Sequence, residues 1–65
     1  MRHSHDFLPG WAAVEVSQIL ASPLAAPAAE RAIRAVLRPL EKNLMRAGWT
    51  SGTFARELVV RRVKP

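Results

Sequence analysis

The sequence contains no cysteine. Disulfides and thiolate metal sites are therefore unavailable, nothing points to a secreted cross-linked scaffold, and a reducing, cytoplasmic setting is the expectation. Tyrosine is missing as well, and two tryptophans and two phenylalanines supply all the large rings. Acidic residues are scarce, five against ten lysines and arginines. Those five, Asp6, Glu15, Glu30, Glu41 and Glu57, are scattered, and no two have a spacing that implies acid and base work. There is no phosphate-cradling glycine loop, and neither histidine has a metalloprotease spacing. His3 and His5 both fall in the first ten residues, a poor place to preorganise an active site. The expectation is a protein without enzymatic activity, cofactor or small-molecule substrate. No apolar run approaches the ~18 residues needed to cross a bilayer, and the first residues lack the pattern of a signal peptide. A soluble chain without a transmembrane segment is expected.

What the chain does have is positive charge on a small body. Its 65 residues allow one domain at most and carry a formal charge of +5, a field that attracts nucleic acid, anionic lipid or an acidic protein surface. A domain of this size buries only about 60% of the surface exposed by its unfolded chain. Eleven of its hydrophobic residues are alanines, which add little buried area, so a partner subunit or host surface is a natural source of further burial. Eight of the ten cations are arginines, suited to two-pronged contacts with phosphate or carboxylate. A biased base composition in the coding DNA would enrich arginine, alanine and proline equally well.

The stretch Ala28–Ala47 organises the rest. Ile33, Val36, Leu37, Leu40, Leu44 and Ala47 recur at the three-and-four spacing that gathers side chains on one helical face. At about 100° per residue, Arg31, Arg34, Arg38, Lys42 and Arg46 fall on the opposite face. On one helix these cations would span about 22 Å, comparable to several phosphates of a nucleic-acid strand. Pro39 interrupts the pattern, because it removes a backbone donor and clashes with the preceding turn. Either one bent helix or two helices, the second opening at Pro39, would result.

Around this stretch the expected architecture is all-α, with two or three short helices at about 11–21, 28–47 (kinked at Pro39) and 53–62. Residues 1–10 read as a flexible arm closed by Pro9-Gly10, and 11–65 as a single small helical domain. In the arm, the amino terminus, two backbone nitrogens and the His3 imidazole could form a square-planar site of the kind that copper(II) prefers; a solvated tail is the simpler reading. The first helix stops before Pro23, and Pro27 suits the opening turn of the next. Gly48 suits a C-terminal cap, with Arg46 near the negative end of the helix dipole. Beyond it, Ser51 or Thr53 could cap a last helix on which Phe54, Ala55, Leu58 and Val59 share an arc and Glu57 pairs with Arg61. The alternative is α+β: Val59, Val60 and Val63 are β-branched, and a turn at Ser51-Gly52 could close a C-terminal hairpin or strand after residue 48 that pairs Trp49 with Phe54.

The first functional expectation is a small regulatory or inhibitory protein that docks on a protein target, or on further copies of itself, through its apolar seam with the arginines as rim. Trp11, Trp49 and Phe54 would be the aromatic anchors; in so small a domain they would equally well be core. The second expectation is nucleic-acid binding through the basic stripe, and the third is a structural subunit of an assembly. Leu44–Thr50 followed by Phe54–Leu58 also resembles the opening of a helix-turn-helix, over about a quarter of the chain. The sequence ends before a further helix could enter the major groove, and no family membership follows from it. The bland alternative is that the stripe is merely the solvated face of an amphipathic helix.

Overall fold

The computed structural model describes residues 8–62. Three long helices, α1 (Gly10–Ala21), α2 (Ala26–Leu37) and α4 (Ser51–Arg62), are joined by a 3₁₀ turn at Arg38–Leu40 and a six-residue helix, α3 (Glu41–Arg46). No strand occurs among the described residues, so the fold is all-α. The central helix lies between the other two long ones and packs most extensively on α4.

The core follows from the hydrophobic periodicity of each helix. Ala12 and Val16 of α1, Ala29, Ile33 and Leu37 of α2, Leu44 of α3, and Phe54, Ala55, Leu58 and Val59 of α4 are buried in one cluster. Ile33, Leu37, Leu44 and Phe54 are its largest fully enclosed side chains, each stabilising the fold by about 1.5–3 kcal/mol through removal from water. Fully buried alanines on all three long helices show where their backbones approach closely. Leu8 is buried too and Gly10 opens α1, so the inner end of the expected arm belongs to the body.

Pro39 breaks the central stretch as its chemistry requires, but by a third route. Leu37 ends α2, the proline sits in the middle of a single 3₁₀ turn, and α3 restarts at Glu41. The seam runs through the break: Leu37 before it and Leu44 after it are both inaccessible to water, while Val36 and Leu40 are half-buried. Ala47 is exposed and leaves the seam, and Ala29 joins it.

The stop after α3 depends on Gly48, whose φ of 88° is costly for any residue with a Cβ. The Gly48 N–H donates to the Met45 carbonyl and the Trp49 N–H to that of Leu44, which closes the helix with a Schellman motif. The next helix starts at once. Thr50 and Thr53 exchange bonds, the Thr53 N–H donating to Thr50 Oγ1 at 3.1 Å and the Thr50 N–H to Thr53 Oγ1 at 2.9 Å. This is the reciprocal geometry of a capping box, with Thr50 as the cap and Thr53 in the position usually held by Glu or Gln. Ser51 is already helical, and its N–H donates to Glu41 Oε2 of α3.

These caps decide the strand alternative against the valines. Val59 is buried and Val60 half exposed in a helical period, with Phe54 and Leu58 on the buried arc. Trp49 and Phe54 do meet, ring centroids 5.2 Å apart and edge to face, but across the cap of a helix instead of across a hairpin. At the far end of α4, Arg62 Nη2 donates to the Leu24 carbonyl in the α1–α2 connector, pinning the end of the last helix to the chain between the first two.

Candidate functional site

All five cations of the central stretch are exposed. They are divided among three elements: Arg31 and Arg34 on α2, Arg38 in the 3₁₀ turn, Lys42 and Arg46 on α3. The interruption expected at Pro39 is a 3₁₀ turn between two helices, so the basic surface bends with the backbone at Arg38–Leu40.

Arg34 is partly engaged within the fold. Its Nη2 lies 3.9 Å from Glu30 Oε2 one turn earlier, a loose pair on a half-exposed side chain and worth little. The same guanidinium reaches over the first turn of α4, where a Cβ added at Gly52 would lie 3.6 Å from Nε and Nη2. A shallow hollow of about 270 Å³ lined by Pro27, Glu30, Arg31 and Arg34 opens beside it. The other four, Arg31, Arg38, Lys42 and Arg46, form no ion pair among the described residues. Glu41, the acid nearest in sequence to Arg38, Lys42 and Arg46, accepts the Ser51 N–H at 3.1 Å. Two ion pairs occur among the described residues; the second, Arg61 Nε to Glu57 Oε2 at 2.7 Å, is the expected i,i+4 pair of α4.

The apolar seam is not available for docking. Ile33, Leu37 and Leu44 are wholly enclosed in the cluster that they form with Ala12 and Val16 of α1 and Phe54, Ala55, Leu58 and Val59 of α4. The aromatic anchors separate in the same way. Phe54 is 1% exposed and is a core residue, not an anchor, since its place on the buried arc of α4 puts it against the seam. Trp49 is half-buried and packs on the same core. Trp11 alone of the three is open to solvent, at 50% exposure.

Sequence reasoning passed over Val14 and Leu24, which are 56% and 42% exposed. Val14 falls on the outward arc of α1 beside Trp11 and Gln18, and Leu24 lies in the connector after it. His3 lies outside the described residues. Among those described, no group of three or more His, Asp or Glu is placed to hold a metal ion, and no helix is long and apolar enough to cross a membrane. No family model matches this chain, and neither a curated protein nor a solved structure is similar to it.

Proposed function

We propose that this is a small binding protein without catalytic activity that attaches to the phosphate backbone of a nucleic acid through the bent basic face of α2 and α3. One observation carries the reading: Arg31, Arg38, Lys42 and Arg46 are exposed with no carboxylate partner among the described residues, while the apolar seam behind them is buried. A protein interface needs a desolvated apolar centre as well as a charged rim, and on this face Met45, on α3 between Lys42 and Arg46, is the one large apolar side chain that is exposed, too little for such a centre. Phosphates need only the charge. Contacts of this kind hold a protein on the strand without reading its sequence.

The test is the salt dependence of binding to a short duplex DNA and to a single-stranded RNA, followed by fluorescence anisotropy. Four phosphate contacts give a log–log slope of about −3.6 on duplex, or about a hundredfold weaker binding between 50 and 200 mM salt. Arg38→Glu with Lys42→Glu removes two contacts and adds repulsion, and is expected to flatten the slope by about 2. Binding that is insensitive to salt or to this double substitution overturns the proposal, as does retention on an acidic protein with neither nucleic acid bound.

A further inference from the structure

Among the described residues, three of the five exposed large hydrophobics, Trp11, Val14 and Leu24, lie on α1 or in the connector just after it. Trp11, Val14, Gln18 and Ala21 recur at spacings of three and four and are all exposed, with Glu15 at the margin. The sequence around them is electrically distinctive. From Gly10 to Glu30 there is no lysine, arginine or histidine, and every described cation lies between Arg31 and Arg62. A stretch without a cation has nothing to offer a phosphate or an anionic lipid surface. On α1 itself a second copy meets Glu15 and no cation; at the connector it meets Arg62, whose guanidinium is already engaged on the Leu24 carbonyl.

The order of residues along the stripe fits it to itself. When two copies of α1 are laid antiparallel about a two-fold axis level with position 16, residue 11 falls opposite 21 and residue 14 opposite 18. The largest side chain of the stripe then meets the smallest, Trp11 over Ala21, and Val14 meets the aliphatic stem of Gln18. Next to Ala21 there is room for the indole: a hollow of about 330 Å³ lined by Glu15, Gln18, Ile19, Ser22 and Leu24 opens at the C-terminal end of α1. The pairing is isologous, so each copy gives one tryptophan and receives one.

We infer that the chain pairs with a second copy of itself through α1, antiparallel, with Trp11 of each copy seated in the hollow beside Ala21, Ser22 and Leu24 of the other. A stable pair needs about 800 Å² from each partner, about one-sixth of the 4648 Å² surface of this chain. One helix face and its flanking connector make a small contact, and the association is correspondingly weak. It leaves the basic face of α2 and α3 free on both copies and does not depend on what that face binds.

Sedimentation equilibrium from about 5 to about 500 µM tests the pairing, with the mean mass rising from 7.2 kDa towards twice that value. Trp11→Glu with Val14→Glu is expected to hold the chain at monomer mass while circular dichroism keeps its helical signal, since both residues are half exposed. The register is tested by mixing Val14→Cys and Gln18→Cys chains with a short bis-maleimide; the parent sequence has no thiol to interfere. Cross-linked pairs of unlike chains in clear excess over the statistical half support the antiparallel pairing. A wild-type chain that is monomeric throughout, a dimer that survives the double glutamate substitution, or like-with-like cross-links in excess each overturn it.

Discussion

The Glu41 carboxylate accepts the Ser51 N–H at 3.1 Å, so the first turn of α4 is held by a side chain from the helix ten residues earlier. This bond links two elements on either side of a tight turn, and it takes away the acid that would otherwise sit nearest Lys42 and Arg38. Glu41→Ala is expected to cost about 1–2 kcal/mol, or roughly 4–16 °C in thermal midpoint for a domain of this size. Glu41→Gln keeps an acceptor and should lose less; equal losses would show that the bond is not what stabilises the turn.

The Thr50–Thr53 exchange should behave as one unit. Either threonine replaced by alanine frees one orphan donor of the helix and costs about 1 kcal/mol. The double substitution is expected to cost less than the two single ones added together, because each single change already breaks the reciprocal pair. Strict additivity in urea titrations would refute the cooperative cap.

Two glycines should respond in opposite directions to the same substitution. Gly48→Ala forces a Cβ into φ 88° and is expected to destabilise by about 1–2 kcal/mol, although nothing lies within 4 Å to clash. Gly10→Ala stands in ordinary helix geometry with open space around it and is expected to stabilise by about 0.4–1 kcal/mol by restricting the unfolded chain. Thermal midpoints measured side by side give both signs.

The burial of Phe54 makes it the most sensitive position of the core. Phe54→Ala removes a ring that is 1% exposed and is expected to cost about 3–5 kcal/mol, a loss comparable to the whole stability of a domain this small. Phe54→Leu should cost less than about 1.5 kcal/mol. A folded, cooperative Phe54→Ala variant would contradict the placement of that ring at the centre of the fold.

How far these features were legible in the sequence differs from element to element. The helix expected at about 11–21, the break near Pro39 and the stop at Gly48 follow from periodicity and from the backbone chemistry of proline and glycine, which act locally, whereas the last helix, expected at about 53–62, competes with a strand in the sequence and is decided by its cap. The cap of α4 was placed one to three residues late, since Thr50 and Thr53 share the work and threonine at the later position hides a motif usually marked by Glu or Gln. Exposure of the five cations was legible from the amphipathic pattern; the fate of the seam was not. Periodicity says that Ile33, Leu37 and Leu44 face one way, but whether a helix of the same chain or a separate partner covers them depends on tertiary packing. The same limit hid the separation of Trp11 from Phe54.

The division of charge between residues 10–30 and 31–62 gives the molecule an electric moment as well as a net charge. Under the proposed attachment to a polyanion, that moment would turn the arginines forward before contact, once the two bodies are within about a Debye length of 8–10 Å.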